Sequence, residues 1–131
     1  MPNQTYALEW IDLARKNLET AKLLVRENHY TEIIAIEIQQ SIEKMLKAIL
    51  AYHGIRIPKL HDIVELQKQC SEHINLTGVK IDDLIEINDY YESERYPGPK
   101  FNIPTMNEIK KNIIVAESIF KQVSDFINKN I

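Results

Sequence analysis

Apolar residues recur along this chain at intervals of three and four rather than two, and that spacing predicts helices almost throughout. The most pronounced run, 30–54, places Ile34, Ile38, Ile42, Met45 and Ile49 on one arc at about 100° per residue, with Ala35 and Leu46 widening it. Glu37, Gln40, Lys44 and Lys47 fall on the far side. The run holds no internal Gly or Pro and stops at Gly54, the residue that most easily takes a left-handed cap. A helix apolar around so much of its girth is expected at the centre of the fold, packed on more than one flank.

The same spacing predicts a first helix over 5–28, with Leu8, Ile11, Ala14 (or Arg15), Leu18, Ala21 and Val25 along its buried seam, Leu13 and Leu24 beside it and Trp10 as an anchor. The turn Glu27-Asn28-His29 is short, so the central helix must return antiparallel to the first. Pro58 forbids helix after Gly54 and forces an extended approach. A short helix over 62–71 follows, marked by Ile63, Leu66 and Cys70, with Asp62 placed to face its dipole. Another spans 81–94, with Ile81, Leu84, Ile85, Asn88 and Tyr91 on one side. Thr105 and Glu108 read as a capping box opening a last helix to 128. Its expected seam is Ile109, Ile113, Ala116, Phe120, Val123 and Ile127, leaving Ile114 and Ile119 for a dimer face. The expected fold is all-α: an antiparallel, up-and-down helical bundle of about five helices, three long and two short.

Composition narrows this picture. At 131 residues and 44% hydrophobic, residues 1–131 suit a single domain with one core, and 3 Gly with 5 Pro speak against a turn-rich sandwich or barrel. A net charge of -3 rules out a generic polyanion binder, so any contact with nucleic acid must rest on a local patch. A lone Cys70 excludes an internal disulfide and a Cys-built zinc site, and no metal or cofactor is expected. The opening MPNQTYALEW lacks the pattern of a secretion signal, and no stretch reaches the roughly 20 apolar residues needed to cross a bilayer. The expectation is a cytoplasmic protein without membrane contact.

Candidate chemistry comes from polar residues in the wrong surroundings. Gln39 and Glu43 sit one turn apart among Ile36, Leu46 and Leu50. Left unpaired there they would cost a few kcal/mol, so they need partners from another segment or form the floor of a polar pocket. His61 follows the Pro58 break and Arg95-Tyr96 precedes a second break at Pro97. An imidazole moves protons near neutral pH, and a guanidinium is a planar fork for phosphate or carboxylate. Tyr90, Tyr91 and Tyr96 offer rings for stacking. The plainer reading makes Arg95 and Glu43 a structural clamp, His53 a dipole partner and His73 a surface residue.

Three motifs, Gln39-Gln40-x-x-Glu43-Lys44-x-x-Lys47-Ala48, Pro58-x-x-His61-Asp62 and Arg95-Tyr96-Pro97, resemble in order and spacing those of the HEPN domain (higher eukaryotes and prokaryotes nucleotide-binding). The resemblance runs along nearly the whole chain, including the opening helix with Trp10 and Ala21. It implies a helical bundle that commonly dimerises, and in bacteria and archaea a module encoded beside a minimal nucleotidyltransferase as a toxin–antitoxin-like pair. Gln39, Glu43, His61, Arg95 and Tyr96 would then bind nucleotide or RNA, with Arg95 on phosphate. Many members of the superfamily resemble metal-independent ribonucleases that use an Arg-x(4 to 6)-His motif. Arg56-x-x-x-x-His61 has that spacing, although Ile57 and Pro58 stand where the family has a polar residue and a helix. In that alternative Arg56 stabilises charge on phosphorus while His61 moves the proton of a ribose 2′-hydroxyl. A purely structural or interaction bundle is the third reading.

Overall fold

The computed structural model describes residues 3–95 and 103–129, with side chains through Tyr91 in the first segment. Among the described residues, five helices run in the order α1 (Gln4–Arg26), α2 (Thr31–Tyr52), α3 (Ile63–Cys70), α4 (Ile81–Arg95) and α5 (Met106–Lys129). The three long and two short helices of the sequence pattern are therefore present, and α2 packs against all four others.

Backbone chemistry sets the boundaries. Asn3 caps α1 by accepting the Tyr6 N–H at 3.0 Å. At the other end Asn28 sits in the left-handed region (φ 51°), with Asn28 N–H on Val25 O and His29 N–H on Leu24 O. This is the paired bonding of a Schellman cap, and Gly54 (φ 71°) repeats it for α2 through Ala51 O and Leu50 O. Asp62 caps α3, its Oδ1 accepting from Val64 and Glu65. Thr105 caps α5 through the Glu108 N–H, while the Glu108 carboxylate turns to the Tyr90 hydroxyl.

The core seam of α1 is Ala7, Ile11, Ala14, Leu18 and Ala21. Small residues at every seventh position let α1 lie close to α2, and the larger Leu8 is left on an exposed shoulder rather than in the seam. Three further expectations are corrected by packing. On α4 the buried row is Leu84, Ile87 and Tyr90, whereas Ile81 and Ile85 face outward. On α5 Ile119 is fully buried, Phe120 half-buried, and only Ile114 of the expected dimer pair is exposed. On α2 Lys47 is buried instead of lying on a wet far side, because α1 covers that flank. Cys70 lies in the core with its thiol against Leu46 O, and burial pushes its pKa up to about 12. Among the described residues, no helix is long and apolar enough to cross a membrane.

Candidate functional site

α2 carries Gln39, Glu43 and Lys47 at successive turns, so the three side chains share one face, and all are buried. They survive there by bonding to one another. Lys47 Nζ lies 2.9 Å from Glu43 Oε2, and Gln39 Nε2 lies 3.3 Å from Glu43 Oε1. The bend at Pro58 then brings His61 over this face. Its carbonyl accepts from Gln39 Nε2 at 2.8 Å, and its Nδ1 stands 3.1 and 3.2 Å from the two Glu43 oxygens. A carboxylate only accepts, so Nδ1 carries the hydrogen between them.

Glu43 is thus a hub that takes an ammonium, an amide and an imidazole at once. The two acceptors facing Gln39 Nε2 fix the orientation of its amide. Its Oε1, fully enclosed, has no hydrogen-bond partner among the described residues. Lys47 also lies 5.8 Å from the centre of the Trp10 ring, which gives the expected anchor a cation–π contact.

The His61 side chain is half exposed (51%) and lies flat on Tyr91 of α4, with ring centres 4.8 Å apart. His61, Tyr91, Gln40, Glu43 and Lys44 line a hollow of about 340 Å³. Lys44 Nζ donates to Asn17 Oδ1 at 2.7 Å, and Asn17 Nδ2 in turn donates to Glu37 at 2.8 Å. Lys44 is therefore steadied by a neutral carbonyl and forms no ion pair among the described residues. An ammonium, an imidazole edge and an aromatic face around one hollow suit an anion attached to a flat, polar group.

Of the residues singled out from sequence, Gln39, Glu43 and His61 come together as one hydrogen-bonded group. Arg56 is exposed in the connection after α2 and does not line this hollow. Arg95 closes α4, but its side chain and the whole of Tyr96 lie outside the described residues. Tyr91 is the stacking tyrosine, whereas Tyr90 turns inward to Glu108 and Asn112. The sequence pattern does not single out Lys47, Lys44 or Gln40 as site residues. The Glu43-to-Lys47 spacing of four, acid first, is a usable signal for the pair. His73, expected at the surface, is half-buried and stacks on His53 with ring centres 4.0 Å apart. Among the described residues, no three His, Cys, Asp or Glu side chains gather closely enough to hold a metal ion.

A helical bundle whose middle helix floors a polar hollow is the class of protein this geometry defines. The chain belongs to the HEPN family, since the HEPN domain model matches residues 7–126. It is 26% identical to a Methanocaldococcus jannaschii protein named "Putative toxin MJ1304", over 97% of this chain and 91% of that one. Two crystal structures share the fold over 92% of this chain and 97% of their own. TT1696 from Thermus thermophilus matches with a TM-score of 0.76 at 22% identity, and ST0689, an archaeal HEPN homologue, with 0.69 at 23%.

Proposed function

We propose that this chain is the HEPN half of a toxin–antitoxin-like pair, taking a nucleotide or RNA segment in the α2–α4 hollow and docking a separately encoded minimal nucleotidyltransferase. The observation that carries the ligand reading is Lys44, a cation that meets no carboxylate among the described residues and shares a hollow with His61 and Tyr91. Phosphate lies against Lys44, and a base or sugar lies against the two rings. The family resemblance assigns Arg95 and Tyr96 to the same ligand, with Arg95 on phosphate. The toxin-named relative supports the paired reading, and the exposed Ile114 belongs to a homodimer face.

Calorimetric titration with adenosine 3′-monophosphate tests the ligand reading. Lys44→Ala and His61→Ala should each weaken binding about tenfold or more while the thermal melt stays in place. Unchanged affinity in both variants overturns the site. Co-expression with a minimal nucleotidyltransferase, followed by size-exclusion chromatography, tests the pairing.

A second reading rests on the fixed ring of His61. An imidazole held at Nδ1 by a carboxylate is oriented to move a proton at Nε2, as a metal-independent endoribonuclease using Arg56 and His61 across a dimer would require. Such an enzyme cuts RNA in EDTA and leaves cyclic phosphate ends. Cutting that survives His61→Ala removes this assignment.

A further inference from the structure

We infer that Glu43 is a positioning residue that makes the hollow select ribose over deoxyribose by fixing the tautomer of His61; the inference rests on the ligand reading above. The position of one hydrogen decides the selection. Both Glu43 oxygens lie within 3.2 Å of His61 Nδ1 and can only accept, so the neutral ring carries its hydrogen on Nδ1. Nε2 on the opposite edge then holds a bare lone pair. The ring is held in this sense by the Glu43 carboxylate at Nδ1 and by its face on Tyr91, while the Gln39 bond fixes the backbone it hangs from. Glu43 is itself held, by Lys47 on Oε2 and by Gln39 on Oε1.

A lone pair at Nε2 calls for a donor. Phosphate oxygens and most sugar oxygens are acceptors at neutral pH, whereas a ribose 2′-hydroxyl can donate. In a ribonucleotide that hydroxyl neighbours the 3′-phosphate, the group that Lys44 attracts. The hollow thus pairs a cation with an acceptor, as a vicinal phosphate and hydroxyl require. A deoxyribose leaves Nε2 facing carbon.

Two measurements on the full chain test this. The first is the long-range nitrogen–proton NMR spectrum of the neutral His61 ring, assigned by its loss in His61→Gln. Nδ1 should appear protonated and Nε2 bare; the reverse overturns the inference. The second is the affinity for adenosine 3′-monophosphate against 2′-deoxyadenosine 3′-monophosphate. The chain should prefer the ribose form about tenfold, the value of one well-made hydrogen bond.

In Glu43→Gln the new amide oxygen serves Lys47 and its NH₂ faces Nδ1. The hydrogen should move to Nε2, and the preference should fall to about one. Lys44→Ala should weaken both ligands alike and keep their ratio. Should Glu43→Gln fail to fold, the tautomer and the ratio in the unaltered chain still decide. Binding of both ligands without preference overturns ribose selection alone. If neither ligand binds while Nδ1 is protonated, the ligand reading itself fails and ribose selection falls with it.

Discussion

Lys47 Nζ and Glu43 Oε2 stand 2.9 Å apart one turn along α2, with both side chains more than nine-tenths buried. Two charges taken out of water are tolerated only while each answers the other, so the pair should show the asymmetry of a buried ion pair. Lys47→Ala leaves the Glu43 carboxylate enclosed without its ammonium and should cost about 3–5 kcal/mol in urea denaturation. Replacing both partners, as Glu43→Leu with Lys47→Met, removes the charges together. Gln39 keeps the His61 carbonyl and the half-exposed His61 ring turns to water, so the double variant should recover most of the loss. A double variant no more stable than Lys47→Ala would show that the pair is not the source of the cost.

The two helix caps predict opposite responses to glycine. Asn28 holds φ 51° in an exposed turn, where a side chain strains the left-handed backbone. Asn28→Gly should be neutral or slightly stabilising, while Asn28→Val should cost about 1–2 kcal/mol. Gly54, at φ 71°, already holds the tolerant residue, so Gly54→Ala should cost about 1 kcal/mol. Chemical denaturation of the three variants reads this directly, and a stabilised Gly54→Ala would contradict it.

These caps also show what was legible in the chain. The helices, their order and the Gly54 stop follow from spacing and from one residue's backbone freedom, because both are local. Which face of a helix is buried is not local. On α4, Ile81, Leu84 and Ile85 share the arc that periodicity names, but contact with α2 turns the helix so that Leu84 is buried with Ile87 and the other two face outward. On α1 the expected seam holds at Ile11, Ala14, Leu18 and Ala21 and fails at its start, where the larger Leu8 outweighs in sequence the Ala7 that is buried. The floor of the site was legible because Gln39 and Glu43 are polar among isoleucines and leucines. Its rim was legible only at His61 and Tyr91, since Gln40 and Lys44 look like ordinary surface residues until Asn17 and His61 are brought beside them.

Burial predicts silence from Cys70. Its thiol is 1% exposed, hydrogen-bonded to Leu46 O and shifted up to about 12, so hardly any thiolate exists at neutral pH. An alkylating reagent such as iodoacetamide should leave the native chain unmodified and label it once urea unfolds it. Mass spectrometry distinguishes the two states. Rapid labelling of native protein would mean that the α2–α3 contact opens far more readily than its packing implies.

Tyr90 sets the alkaline limit of the fold. Its pKa is raised far above the usual tyrosine value near 10, first by burial and then by Glu108, whose carboxylate accepts from the hydroxyl and repels a phenolate. The native state keeps this proton while the unfolded chain releases it. The stabilisation is therefore complete below about pH 10 and is lost progressively as pH rises above that value. Tyr90→Phe should flatten this alkaline loss. Near pH 7 it should instead cost about 1–3 kcal/mol, because the buried Asn112 amide, which donates to the hydroxyl at 2.8 Å, and the Glu108 carboxylate each lose a partner. Stability measured by urea denaturation from about pH 7 to 11 separates the two effects. If the variant and the parent decline in parallel above about pH 10, another group governs the alkaline limb.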